Sequence, residues 1–108
     1  MFLSLKRNDY FDKIIKKGKK AVNSHFVVYY MPSFYFNDKN FNVGISVGKK
    51  IGNAVVRNKN KRIIRYILHK NKVNIENCYI VIISRKNLNN EKYEISEKKL
   101  LDILKGLS

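Results

Sequence analysis

The sequence is poor in cysteine, in long apolar segments and in acidic residues, and each shortage narrows what the chain can be. Its one cysteine, Cys78, cannot form an internal disulfide, which is typical of proteins from a reducing compartment. The longest apolar runs, such as 79–83, have the length of a strand and fall far short of the ~20 residues that a membrane-spanning helix needs. The N-terminus lacks the apolar segment and cleavage site of a secretory signal peptide. We therefore expect a cytoplasmic location.

Basic residues greatly outnumber acidic ones. The chain has 23 Lys and Arg against 8 Asp and Glu, which gives a net charge of +15. Such a charge destabilises an isolated globule through self-repulsion and favours association with a polyanion. With 108 residues the chain fits a single domain over 1–108, large enough to fold without disulfides or structural metals. Since we expect no membrane segment, a nucleic acid is the expected partner.

The segment 53–71 has the clearest pattern in the chain. On a helical wheel of about 100° per residue, its apolar side chains gather on one arc and its cations on another. The apolar arc comprises Val56, Ile63, Ile64 and Ile67, and the polar arc comprises Arg57, Asn58, Lys61, Arg62, Arg65 and His69. From 39 to 75 there are ten Lys and Arg and no acidic residue, so nothing in the helix neutralises these cations. Charged helix faces are usually only solvated, but arginine offers a planar fork for phosphate, which favours nucleic-acid binding here.

The remaining segments predict an α+β sandwich. Apolar periodicity indicates helices at 5–18, 53–71 and 93–107, and β-branched and aromatic residues indicate strands at 21–31, 41–47 and 78–84. Residues 34–36 form either a further short strand or the end of the first, so the order is αβββαβα or αββαβα around a central mixed sheet. The strands at 41–47 and 78–84 form a βαβ unit with the central helix, and such crossovers are generally right-handed. Small residues alternate along 41–47 and are expected to leave one sheet face open.

The sequence offers little for catalysis by protein side chains. A protein nuclease would be expected to have paired carboxylates for metal ions or two cooperating histidines. The acidic residues are scattered, His25 and His69 lie in different elements, and no metal-ligand spacing emerges. We expect both histidines at the surface or facing RNA, and Cys78 as a small buried residue of an apolar strand. The sequence assigns no catalytic residue, metal site or organic cofactor to the chain.

Residues 48–65, GKKIGNAVVRNKNKRIIR, resemble the signature of the protein subunit of bacterial ribonuclease P. The flanking segments 10–18, 26–29, 43–46 and 79–85 fit the same family, so the resemblance covers nearly the whole chain. It implies a catalytic RNA that cleaves the 5′ leader from precursor tRNA with Mg²⁺ held mainly by the RNA. It also implies a small protein that helps this RNA to bind, is not the chemical catalyst and requires no protein partner. The family fold has a left-handed βαβ crossover, against the general rule.

The resemblance further implies two sets of site residues. The set for the RNA subunit comprises Lys49, Lys50, Arg57, Asn58, Lys61, Arg62 and Arg65. The set for the leader, in a cleft between the first helix and the sheet, comprises Phe11, Val27, Tyr29 and Ser46. Aromatic side chains on which bases stack are a general means of holding single-stranded RNA. Phe11 and Tyr29 fit that role or that of ordinary core aromatics, although a tyrosine hydroxyl prefers an edge with access to water.

Two positions depart from the pattern, and one alternative function stays open. Asn60 lies in the apolar arc of the central helix, so either it makes a local polar contact or the helix is slightly rotated. Ile15 stands where the family often has a second aromatic residue in the cleft. A structural RNA-binding protein of ribosomal type is the alternative, because the charge and topology would serve it equally well. A DNA-binding helix is less favoured, since the central helix must also pack against the sheet.

Overall fold

The computed structural model describes residues 3–4, 8–32, 41–75 and 77–107, which contain both strands and helices. The strands are β1 (Leu3–Ser4), β2 (Lys19–Val22), β3 (Phe26–Pro32), β4 (Asn42–Ser46) and β5 (Cys78–Ser84). The helices are α1 (Asn8–Lys17), α2 (Ala54–Lys70) and α3 (Tyr93–Lys105). Within these described ranges, none of the helices has the length and apolarity that crossing a membrane requires.

The five strands form one sheet in the order β1-β4-β5-β3-β2. β4 runs parallel to β1 and β5, whereas β3 runs antiparallel to β5 and β2. The sheet is therefore mixed, and the predicted α+β class is confirmed. β4 and β5 are parallel neighbours joined through α2, as the predicted βαβ unit requires. The left-handed crossover stays a prediction.

A hairpin replaces the single long strand predicted at 21–31, so that prediction was wrong. β2 and β3 pair antiparallel across a tight turn. Asn23 forms this turn, because its Oδ1 accepts hydrogen bonds from the backbone N–H groups of His25 and Phe26 at 2.9 and 2.8 Å. After the short β1, the elements from α1 to α3 follow the order αβββαβα. The third strand before α2 is β2, not the segment 34–36. The strand considered at 34–36 lies outside the described residues.

Each face of the sheet packs against helices through its own apolar cluster. α2 and α3 cover one face, where the fully buried side chains include Phe26, Val28, Ile64, Ile67, Leu68, Ile80, Ile82 and Leu100. α1 covers part of the other face, through a cluster of Ile14, Met31, Tyr79 and Val81. Gly18 ends α1 as predicted, and a Cβ there would collide with the backbone carbonyl oxygens of Ile14 and Tyr30. The close approach of α1 to β3 therefore depends on this glycine.

α2 confirms the predicted central helix. Its N-cap is Asn53, as predicted, and the Asn53 Oδ1 accepts a hydrogen bond from the N–H of Val56 at 3.1 Å. Asn60 is 2% exposed, and its Nδ2 donates to the Oδ1 of Asn89 at 2.7 Å. Asn60 therefore makes a polar contact, as one of the two explanations requires, but its partner is 29 residues away along the chain. The predicted 93–107 helix is also present and ends at Lys105.

Candidate RNA interface

The cationic side chains of α2 are centred on a different flank of the helix from the one that meets α3. Tyr66 and Lys70 mark the α3 flank, because the Tyr66 ring centroid is 5.6 Å from that of Tyr93 and the Lys70 Nζ is 3.4 Å from the Oε2 of Glu97. The other flank carries a set that we call the basic arc, consisting of Arg57, Asn58, Lys61, Arg62 and Arg65. Three of its members are exposed and two, Arg57 and Lys61, are half-buried.

No acidic side chain neutralises the basic arc within the described residues. α2 itself contains no Asp or Glu, and the contact of His25 with Glu91 and the ion pair of Lys70 with Glu97 lie outside the arc. The Arg57 Nε is covered by neighbouring atoms and has no hydrogen-bond partner in that part of the chain. In the described part of the chain, the arc therefore lacks an internal counter-charge. Phosphate is the anion that best fits a group of guanidinium forks.

A second cationic element, the basic turn, precedes α2. It is the single turn of 3₁₀ helix at Lys49–Ile51, and both of its lysines are exposed. The Nδ2 of Asn89 donates a 2.8 Å hydrogen bond to the carbonyl oxygen of Ile51, while the Oδ1 of Asn89 accepts from Asn60 of α2. The basic turn is thus held to the helix that carries the basic arc. The turn that carries Lys49 and Lys50 is thus linked to α2, which carries the other five residues of the set predicted for the RNA subunit.

The sheet face toward α1 is covered at one end and accessible at the other. Alternate residues of a strand share a face, and the strand register places two rows side by side there, Val27–Ile83–Ser46 and Tyr29–Val81–Gly44. Val81 is fully buried beneath α1. Val27, Ile83 and Ser46 are half-buried. Val22, paired with Val27 at the edge of the sheet, is 51% exposed.

Phe11 of α1 lies across Gly44 of β4. A Cβ built on Gly44 would collide with the Phe11 ring, so the close approach of helix and strand requires a residue without a side chain. Asn42 and Gly44 are both buried. The expectation that the small residues of 41–47 leave a whole sheet face open is therefore wrong, because α1 covers that face as far as Gly44. The accessible part of β4 on this face begins at Ser46.

Tyr29 is half-buried at the boundary between the covered and the accessible part of this face. Its ring packs beside the α1 cluster, and the Lys20 Nζ lies 5.7 Å from the ring centroid. A cation at that distance interacts favourably with the ring and is also placed to meet a phosphate. The structure thus brings the four residues predicted for the leader, Phe11, Val27, Tyr29 and Ser46, onto one face. We call this face the α1-side cleft.

The sequence prediction missed three neighbours of this cleft, Lys20, Val22 and Ile83. The two residues of β2 were missed because the hairpin itself was missed, and the turn-forming Asn23 was the signal that could have revealed it. Ile83 was missed because the sequence of a near-continuous apolar strand does not show which alternate residues lie on the sheet face toward α1. That information depends on pairing between distant strands.

His25 is buried, so the expectation that it lies at the surface or faces RNA is wrong. It is 6% exposed, its Nε2 is 2.7 Å from the Oε2 of Glu91, and its Nδ1 is 2.7 Å from the Oγ of Ser24. The hydrogen bond with His25 is the main cause that lowers the pKa of Glu91. This network fastens the β2–β3 turn to the segment before α3. His69, by contrast, is exposed as expected.

Cys78 is the small buried residue that the sequence predicts. It is 7% exposed, and burial raises the pKa of its thiol to about 11. Elsewhere in the described ranges, no three His, Cys, Asp or Glu side chains lie together in an arrangement that could hold a metal ion.

The chain is similar in sequence to several known proteins. The model of the family described as Ribonuclease P matches residues 2–108. The ribonuclease P protein component of Streptococcus agalactiae serotype III is 43% identical over 95 residues, which cover 88% of this chain and 84% of that protein. The ribonuclease P protein component of Listeria welshimeri is 42% identical over 103 residues, which cover 94% of this chain and 84% of that protein.

The fold is similar to two solved ribonuclease P proteins. That of Staphylococcus aureus superposes with a TM-score of 0.86 at 36% identity and covers 97% of this chain and 94% of its own. That of Thermotoga maritima also gives a TM-score of 0.86, at 34% identity, and covers 97% of both chains. Sequence and fold therefore agree over almost the full length. The chain belongs to the ribonuclease P protein family, whose members are the protein component of a bacterial endoribonuclease.

Proposed function

We propose that this chain binds the catalytic RNA of ribonuclease P and the 5′ leader of precursor tRNA in the cytoplasm, and thereby promotes the Mg²⁺-dependent endonucleolytic removal of the leader. The basic arc and the basic turn bind the RNA subunit. The α1-side cleft takes the single-stranded leader. The catalytic RNA cleaves the phosphodiester bond between the leader and the tRNA, and the protein raises the affinity of that RNA for precursor tRNA.

The observation that carries this proposal is the basic arc, for which the described residues provide no internal counter-charge. Its cations project from a helix that Ile64, Ile67 and Leu68 fix in the core, so their spacing is set by a rigid element. Each phosphate that such a surface neutralises releases condensed counterions from the RNA, which favours binding and makes it dependent on salt. Arginine suits this role better than lysine because its donors form a planar fork.

The α1-side cleft supports the assignment of the leader. Tyr29 offers an aromatic ring with Lys20 beside it, and Val27 and Ser46 continue the same face away from α1. An aromatic ring next to a cation is the combination that holds an unpaired base and its phosphate. Phe11 is packed against Gly44, so it forms the wall of the cleft on the helix side. Ser46 is followed within three residues by Lys49, so the cleft and the basic turn adjoin along the chain.

Among the described residues, no three His, Cys, Asp or Glu side chains lie together as a metal-binding group. Mg²⁺ binds oxygen ligands, among them phosphates, which the RNA partners supply in abundance. In this proposal the RNA holds the Mg²⁺. The chain's own residues bind and orient the two RNA partners.

Reconstitution tests the proposal. The ribonuclease P RNA, a precursor tRNA and this protein are combined at low Mg²⁺, and cleavage at the 5′ end of the mature tRNA is compared for RNA alone, protein alone and both. We expect rapid cleavage with both, slow or no cleavage with RNA alone, and none with protein alone. Cleavage by the protein alone would overturn the proposal. Tight RNA binding without any effect on cleavage would instead favour the structural RNA-binding role.

A further inference from the structure

Tyr66 is an exposed aromatic residue in the most basic part of the chain. It lies on α2 outside the basic arc, and 58% of its surface is accessible. Of the large apolar or aromatic side chains that are exposed among the described residues, the others are Ile15, Val22, Val55 and Ile95. Tyr66 is thus the aromatic residue of this exposed group, and its side chain is not part of the core.

The Tyr66 ring is held in place on its α3 side. Its centroid is 5.6 Å from that of Tyr93, with an angle of 67° between the ring planes, which is a favourable edge-to-face arrangement. Tyr93 is itself fixed, because its hydroxyl donates to the Oε2 of Glu97 at 2.8 Å and the Lys70 Nζ lies 5.0 Å from its ring centroid. Tyr66 is therefore an exposed ring with a restrained orientation. A restrained ring loses less conformational entropy on stacking than a free one.

The charges around Tyr66 favour one kind of partner. Arg62 lies one helical turn before it and Lys70 one turn after it, so both are its neighbours on the helix surface. Arg62 is exposed and forms no ion pair among the described residues, whereas Lys70 is occupied by Glu97. A phosphate next to Tyr66 would therefore lie on the Arg62 side, away from the Glu97 carboxylate. The uncharged plane of a base can lie over the ring itself.

We propose that Tyr66 is a stacking platform for an unpaired base of the ribonuclease P RNA, with the phosphate of that nucleotide on Arg62. The site adds a contact of a different chemical kind to the basic arc and extends the RNA-binding surface across α2 toward α3. The inference rests on the proposed binding of the RNA subunit. Since stacking involves the ring and not a charge, it contributes affinity that persists at high salt.

Fluorescence tests the stacking directly, because the chain has no tryptophan. A Tyr66→Trp variant carries a single indole at the proposed platform, and an Ile95→Trp variant carries one at a comparably exposed position of α3. Each is titrated with the transcribed ribonuclease P RNA. We expect strong quenching in Tyr66→Trp that saturates with binding, and little quenching in Ile95→Trp. Absence of quenching in the Tyr66→Trp variant, or equal quenching in both variants, would overturn the inference.

Affinity gives the second readout. Tyr66→Ala is expected to bind the RNA about 10-fold more weakly than the unmodified chain, with an unchanged dependence of log K on log salt, and Tyr66→Phe is expected to bind normally. A full-strength Tyr66→Ala complex would contradict the stacking role and leave the basic arc unaffected. Failure of the unmodified chain to bind the RNA at all would contradict the proposed function itself. The two failures are therefore distinguishable in one titration series.

Discussion

The side-chain amides of the buried Asn60 and the half-buried Asn89 form a relay, in which the Asn60 Nδ2 donates to the Asn89 Oδ1 at 2.7 Å. The Nδ2 of Asn89 in turn donates a hydrogen bond to the carbonyl oxygen of Ile51 at 2.8 Å. The loop before α3 is thereby joined to two consecutive segments that are distant from it in sequence, the basic turn and α2. Asn60, the polar residue in the apolar arc, thus helps to hold the basic turn against α2.

The relay predicts a specific loss of stability. Asn89→Ala leaves the amide of Asn60 buried without its partner, and such an unsatisfied group costs about 1–3 kcal/mol. Asn60→Leu in the Asn89→Ala background removes the unpaired amide and should recover part of the lost free energy of unfolding. Urea unfolding followed by circular dichroism gives the free energies, and the exposed Asn58→Ala is the matched control, with an expected change below about 0.5 kcal/mol. Strict additivity of the two relay substitutions would show that Asn60 and Asn89 do not interact.

The parts of the fold that the sequence predicts well are those whose signal is local. β5 occupies Cys78–Ser84 as predicted, because an uninterrupted apolar run bounded by polar loops has few other interpretations. α2 occupies Ala54–Lys70 with the predicted cap at Asn53, because its apolar and cationic arcs both follow the helical period. The basic arc needs no tertiary information either, since residues of one helix face are neighbours by geometry alone.

The parts that the sequence does not predict depend on contacts between distant segments. Asn60 cannot be paired with Asn89 from the sequence, because 29 residues separate them. The hairpin at Asn23 was hidden by the strong β-propensity on both sides of it, and with it Lys20 and Val22 of the cleft. His25 was misplaced for a related reason. Its burial follows from the 2.7 Å contact with Glu91, 66 residues away.

The contact between His25 and Glu91 predicts how stability depends on pH at the acid end. The hydrogen bond with His25, with a smaller contribution from the backbone N–H of Lys92, lowers the pKa of Glu91 below its ordinary value of 4.5. A carboxyl with a lowered folded-state pKa contributes stability that is present above the unfolded-state pKa and is lost as pH falls through the folded-state pKa. The free energy of unfolding should therefore fall as pH drops below about 4.5.

Glu91→Gln isolates this contribution. The variant should be less stable than the unmodified chain at pH 6, and the difference should shrink as pH falls below 4.5 toward the pKa of the folded Glu91. Urea midpoints measured across that range give the comparison, with the exposed Glu94→Gln as control. Some acid dependence remains in Glu91→Gln, because the pKa of Glu97 is also lowered. A difference between Glu91→Gln and the unmodified chain that stays constant with pH would contradict a role for the hydrogen bond between Glu91 and His25.

The basic arc predicts a change in the salt dependence of RNA binding. Arg57→Ala and Arg65→Ala should each weaken binding to the ribonuclease P RNA and reduce the slope of log K against log salt by about 1, since each removes one phosphate contact. Filter binding or fluorescence anisotropy over a range of KCl concentrations measures the slope. Lys98→Ala, an exposed cation of α3, is the matched control and should leave the slope unchanged. Reduced affinity with an unaltered slope would contradict phosphate contacts at Arg57 and Arg65.

The α1-side cleft predicts that Tyr29 distinguishes precursor from mature tRNA. Tyr29→Ala should weaken the affinity of the reconstituted holoenzyme for precursor tRNA by ~1–3 kcal/mol, the usual contribution of one stacked base, while mature tRNA without a leader binds as before. Tyr29→Phe keeps the ring over which Lys20 lies and should bind both normally. Because Tyr29 is half-buried, urea unfolding must first show that Tyr29→Ala remains folded under the binding conditions. Equal losses for precursor and mature tRNA would mean that Tyr29 supports the fold and does not contact the leader.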